Sequence, residues 1–295
     1  MKTIRLFSTL MLATLMVGSA SAQHYGNRHS RSKPNVYTVA AEQSGNDGEQ
    51  TDWVIEEFEA TRRDGFQQMH NPQFIFSTKN KRFMLGIGGE INFRTSYDFK
   101  GAVDNIDFIP YDIPMSASFA NRQRVMMDAT ASRLYTKAVI NSDILGRVVA
   151  YIDMDFRGGE EFSYVPHLRS AYVSMLGFTA GRDVTTFCDL LAAPETIDHQ
   201  GPNAYNFNYA TLLRYEIDFL DDHMRAGVAA EMPKVSGTYG NHFQSLAQRV
   251  PDFPVYLQYA WGENRQSHFR ASAVFRNMYL HNKLTNENTS LFGWG

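Results

Sequence analysis

From Arg82 to Phe99 apolar and polar side chains alternate along the chain. The odd positions are Phe83, Leu85, Ile87, Gly89, Ile91, Phe93, Thr95, Tyr97 and Phe99; the even ones are Met84, Gly86, Gly88, Glu90, Asn92, Arg94, Ser96 and Asp98. A period of two over so long a run predicts a β-strand with one apolar and one polar face. Ordinary strands run about 5–6 residues. A membrane-spanning barrel strand needs about 9–11 tilted residues, with its polar side chains turned to a wet lumen. The expected fold class is therefore all-β, a transmembrane up-and-down antiparallel β-barrel, and this run is its first wall strand. Phe83 and Phe93, ten positions apart, would flank an apolar band about 25 Å tall, as aromatic girdles do.

Further strands are expected over about 121–141, 147–156, 167–175, 178–186, 209–219, 223–232, 254–261 and 267–280. Several repeat the two-faced pattern. In 209–219, Thr211, Leu213, Tyr215, Ile217 and Phe219 oppose Arg214, Glu216 and Asp218. The 121–141 strand is less regular, which predicts a bulge near Ser132 to Tyr135. Connections alternate between long (100–120, 157–166, 187–208, 233–252) and short (142–146, 176–177, 220–222, 262–266). Barrels with short periplasmic turns and long external loops sort their connections this way.

The first residues predict export. Lys2 and Arg5 precede an apolar run, Leu6 to Val17, and Ala20-Ser21-Ala22 offers a small-x-small cleavage site before Gln23. Residues 1–22 thus read as a secretory signal peptide, and the mature chain begins near Gln23. No stretch approaches the roughly eighteen uninterrupted apolar residues of a transmembrane helix. A hydrophobic share of 43% with mean hydropathy −0.35 is neutral about membranes, because half of every barrel strand is polar. A net charge of −3 argues against a nucleic-acid partner. The single cysteine, Cys188, rules out an internal disulfide and a zinc cysteine cluster. No metal site or cofactor is expected.

Residues 23–80 read as a separate, flexible periplasmic segment. His24–Pro34 is basic and polar, and Ser44–Thr51 is rich in Gly, Asn, Asp and Glu. A short amphipathic helix is expected over Trp53–Phe66, with Trp53, Ile55, Phe58 and Ala60 as its apolar positions. Three placements fit it: in the periplasm, at an assembly interface, or in the lumen. The barrel domain then covers 81–295.

The lumen-facing positions are rich in arginine: Arg94, Arg124, Arg147, Arg169, Arg182, Arg214, Arg225, Arg270 and Arg276, with Glu90 and Glu216 among them. A guanidinium stays charged at any relevant pH and grips carboxylate or phosphate through a planar fork. A wet tube lined by such groups favours small anions. The opposing reading is that these arginines pair with Glu90, Asp98, Asp128, Asp153, Asp155, Glu216 and Glu231 and hold the wall together. The connection 187–208 carries apolar residues unsuited to a solvated loop, which predicts that it folds inward as a constriction with Asp189, Glu195 and Asp198 near the narrowest point.

Here the chain resembles a known family. Leu168-Arg169-Ser170-Ala171-Tyr172, Gly181-Arg182-Asp183-Val184-Thr185-Thr186-Phe187, Pro194-Glu195-Thr196-Ile197-Asp198, Gly201-Pro202-Asn203 and the strand around Arg214 look like the DcaP-type trimeric porins of Gram-negative outer membranes. The resemblance spans roughly residues 80–280. It implies a sixteen-stranded homotrimeric porin in outer-membrane lipid that passes small anionic solutes such as dicarboxylates, with a coiled coil before the barrel. Residues 23–80 lack heptads. About nine strands precede Leu291–Gly295, where a tenth would begin. The chain therefore reads as an incomplete barrel, and the alternative is a small ten-stranded one. No G-x-S-x-G, H-E-x-x-H or P-loop is present, and His199 beside Asp198 is a poor acid–base pair, so no enzyme is expected. The competing function is a ligand-binding or adhesin β protein that does not conduct.

Overall fold

A computed structural model describes residues 35–39, 47–63, 72, 74–78, 80–103, 106–108, 110–115, 119, 122–160, 163–193, 205–234, 240–262 and 267–295; at 35–39 and 47–51 only the backbone is described. The expected signal peptide, residues 1–22, lies outside the described residues. Five elements lead up to the first long connection: β1 (Asn35–Val39), helix α1 (Asp47–Ala60), β2 (Phe74–Thr78), β3 (Phe83–Glu90) and β4 (Arg94–Asp98). Between the first and third long connections come β5 (Arg124–Asp128), β6 (Arg133–Ser142), β7 (Gly146–Asp155), β8 (His167–Met175) and β9 (Phe178–Val184). The remainder is β10 (Tyr209–Phe219), β11 (Met224–Glu231), β12 (Phe243–Ser245), β13 (Phe253–Trp261), β14 (Ser267–Asn282) and β15 (Glu287–Trp294).

The wall is a meander. Each of β3, β6, β7, β8, β9, β10, β11, β13, β14 and β15 pairs antiparallel with the next, while β4 and β5 form a two-stranded continuation of β3 and β6. The chain is all-β in architecture, as its alternation predicts. Among the described residues β15 does not return to pair with β1, β2 or β3, so the sheet is not closed into a barrel. No described helix is long and apolar enough to cross a membrane, which leaves barrel strands untouched.

The two faces are inverted relative to a soluble protein. Ile91 is 91% exposed and Phe269 66%, whereas Asp153 is fully buried and Asp155 is 1% exposed. Phe93, Tyr97, Phe99, Leu134, Ile152, Val173, Leu213, Ile217, Val228 and Leu257 share the exposed apolar face. Strands that bury charge inside and leave apolar side chains outside suit a lipid solvent. The side carrying the buried charges is the inner face.

Two bulges govern which side chains reach it. Glu90 pairs with Arg133 and Arg94 with Asp128, so four steps on one strand face five on the other. The extra residue lies in Ala129–Ser132, just before the expected Ser132–Tyr135. It flips the parity, turning Met126 and Asp128 inward on one side and Arg133 and Tyr135 inward on the other. In β8 the register slips where Asp153 meets Ser170 and Met154 meets Leu168. That leaves Arg169 as the bulged residue, buried next to Ser170 rather than facing out.

The turns have local causes. Leu176 and Gly177 both adopt positive φ, the geometry of a two-residue hairpin turn. A Cβ on Gly177 would stand 2.6 Å from the Glu216 carbonyl oxygen, so glycine is required by space as well as by φ. The β14–β15 turn, Lys283–Asn286, is tight where alternation calls for a long connection, because β14 runs on past β13 to pair with β12 and β15. Sequence reading places neither β1 nor β2, and brings in β15 only at Leu291. It also starts the helix six residues late, since the polar Asp47–Thr51 is helical.

Candidate functional site

The inner face is organised as a ladder of ion pairs across neighbouring strands. Arg94 on β4 bonds Asp128 on β5 at 2.5 Å and Asp107, a residue of the first long connection, at 3.1 Å. Arg157 reaches the same Asp107, which ties that connection to the wall. Arg133 on β6 bonds both oxygens of Asp153 on β7. Arg169 donates to Asp155 at 2.8 Å, and the His167 ring meets that carboxylate at 3.0 Å. Arg214 on β10 donates to Asp183 on β9 at 2.7 Å and lies 3.1 Å from Glu216, which accepts from the Tyr256 hydroxyl at 2.6 Å. Arg276 grips both oxygens of Asp252 at 2.9 and 2.6 Å. Arg225 pairs with Asp218 at 2.6 Å where both are exposed.

Every expected pore-lining arginine except Arg182 falls on this face. Arg124 does so with a contact to the Val103 carbonyl at 3.3 Å. Arg147 pairs with Glu57 of α1 at 2.7 Å, and Glu90 stands opposite Arg133. Arg182 is opposite Ala171 on one side and Thr211 on the other, which puts it on the apolar face; it donates to the Leu168 carbonyl at 2.9 Å. The alternation of β9 is what turns it there, since Thr179 and Asp183 occupy the inward positions. Arg270, on β14, stands opposite the buried Gln258 of β13. Among the described residues it meets no carboxylate; its guanidinium lies 3.6 Å from the Tyr256 ring centroid and donates to the Thr186 carbonyl at 2.6 Å.

The end of β9 and the described start of the third long connection reach across the inner face to β11 and β14. Thr185 and the Thr186 amide both donate to Glu231 at 2.7 Å, and the Asp189 carboxylate meets His268 on β14 at 2.9 Å. Cys188 is 3% exposed and contacts the Tyr205 hydroxyl, which donates to the Asp189 carbonyl at 2.6 Å. Burial pushes both the Cys188 thiol and the Tyr205 hydroxyl up from their ordinary values. Glu195 and Asp198 lie outside the described residues.

These observations can be set beside known proteins. The architecture is shared with the crystal structure of the outer membrane channel DcaP of Acinetobacter baumannii, at a TM-score of 0.59 and 18% identity. The fold is porin-like. The match covers 74% of this chain and 59% of that channel, so the chain spans less than two thirds of the channel's length. No protein-family model matches, and no curated protein matches.

Sequence reasoning missed three groups. Arg133 is turned inward only by the bulge in Ala129–Ser132, which a strict period of two cannot register. Asp107 and Arg157 lie in connections with no periodicity to read. Arg63 sits beyond α1, yet its guanidinium bonds Asp183 and Thr179 at 2.5 Å each and stacks 4.4 Å from the Tyr172 ring centroid. Its signal was faint: a basic residue just past an amphipathic helix.

Proposed function

We propose that this chain forms the wall of an outer-membrane porin, a water-filled channel for small solutes, exported by cleavage of residues 1–22. One observation carries the reading: a long antiparallel meander whose outer face is exposed and apolar and whose inner face is a ladder of paired charges. The likeness to an outer membrane channel supports the same fold-level role. The connection 187–208 acts as the constriction, with Asp189 and His268 holding its start against β14 and Glu195 and Asp198 near the opening. A homotrimer in lipid is the assembly this reading carries.

Anions are the favoured solutes, though by few groups. Arg94, Arg147, Arg169, Arg214, Arg225 and Arg276 are matched by carboxylates, so their fields largely cancel along the wall. Arg270, beside the start of the constriction, keeps an unmatched positive charge among the described residues, and a charged ring at a narrow point sets ion preference. The test is reversal potential across a planar bilayer under a salt gradient. The wild-type chain is expected to prefer chloride over potassium, and Arg270→Glu to move the preference toward cations. A wild-type channel that prefers cations overturns the anion reading, and absence of step conductance overturns the channel.

A further inference from the structure

The residues from Asp47 to Arg63 occupy the inner face, and a bare channel wall has no use for them there. Val54 and Phe58, one helical turn apart on α1, are 0% and 2% exposed and pack into Ile75 of β2, Met84 of β3 and Val139 of β6. The Lys137 ammonium donates to the Phe58 carbonyl at 3.0 Å, satisfying an acceptor at the helix's negative end. Glu57 holds Arg147 just after the Asp143–Leu145 turn. Arg63 holds Asp183 and Thr179, the latter just after the Leu176–Gly177 turn. The segment is therefore pinned at β7 and again at β9, near the end of the sheet that carries the short turns.

We propose that Asp47–Arg63 is an internal plug that narrows the short-turn mouth of the channel and opens it by leaving this seat. The proposal rests on the channel reading above. The seat suits reversible release. Its apolar contact is confined to one stripe of a single helix, and both ion pairs join charges that water can rehydrate once they separate. Arg147 then faces the lumen without Glu57, while Asp183 keeps its bond from Arg214 at 2.7 Å.

The experiment uses the full chain with two readouts: single-channel conductance in planar bilayers, and the rate of tryptic cleavage at Arg62 and Arg63 in detergent. Glu57→Arg sets two cations against each other at the seat. It is expected to raise conductance about twofold, since passage follows the open cross-section, and to speed cleavage about tenfold, since cleavage follows the released population. Glu57→Arg combined with Arg147→Glu restores the pair and is expected to return both readouts to wild type. Arg63→Gln, which leaves every strand residue in place, is expected to raise conductance as Glu57→Arg does and to speed cleavage at Arg62, the site it retains. Equal conductance in all four proteins overturns the plug, whatever the cleavage rates. If none of the four conducts while cleavage still follows the charge swap, the channel reading fails and the seat stands.

Discussion

Asp153 shows how the inner face holds together at the scale of one side chain. It is fully buried, bonded by Arg133 and 3.6 Å from Arg169. A carboxylate so far from water persists only because guanidiniums stand on both sides of it, and the ion pair itself adds little net stability once desolvation is counted. The asymmetry is in removal. Asp153→Ala leaves Arg133 buried without that carboxylate and is expected to cost about 3–5 kcal/mol. Replacing the pair together, Asp153→Leu with Arg133→Met, is expected to cost far less, because no stranded charge remains. Urea unfolding from lipid vesicles, followed by tryptophan fluorescence, measures both. Equal losses in the two proteins would show that packing, and not charge pairing, sets the stability of this part of the wall.

At the scale of elements, β7 offers the cleanest separation of faces: Val149, Tyr151, Asp153 and Asp155 are buried, while Ile152 is exposed. Ile152 is six residues beyond the start of the strand, which at about 2.5 Å of height per tilted residue places it near the middle of the apolar band. Ile152→Arg is expected to destabilise by about 2–4 kcal/mol in vesicles, and Ile144→Arg in the adjoining turn by about 0–1 kcal/mol. The same unfolding assay decides, and equal effects at the two depths would remove lipid from the account of this face. Such two-faced strands were legible from sequence because β7 and β10 keep a strict period of two. What escaped had physical reasons. The parity of Arg133 depends on one extra residue in a bulge. β2 was hidden because Phe74–Thr78 is short and lies next to a polar segment. The polar stretch Asp47–Thr51 resembles a loop in composition, and tertiary packing of Val54 and Phe58 makes it the first turns of a helix. Of the constriction residues, Asp189 alone is described, and its partner His268 lies 79 positions away, beyond the reach of any local pattern.

At the scale of the whole molecule, the three tryptophans test the proposed contact with lipid. Trp261 is outward on β13, 44% exposed and stacked on Tyr259 at 5.8 Å; Trp294 is outward on β15 and 83% exposed. Trp53 is on α1, half-buried against the inner face with the Lys81 ammonium 4.6 Å from its ring centroid. On the channel reading, an apolar exterior with a charged interior puts two indoles in contact with acyl chains or their interface and shields the third behind the wall. Three single-tryptophan variants, with phenylalanine at the other two positions, separate these environments in vesicles containing brominated lipid. Fluorescence of the Trp261 and Trp294 variants is expected to be quenched, and that of the Trp53 variant to stay near its value in unbrominated lipid. Equal quenching of all three would move α1 out of the inner face and into the bilayer interface, where amphipathic helices also bind. Quenching of none would mean that the apolar face is covered by protein rather than lipid, and the exposed band of Ile91, Phe93, Ile152, Leu213 and Leu257 would then be a docking surface instead of a membrane belt.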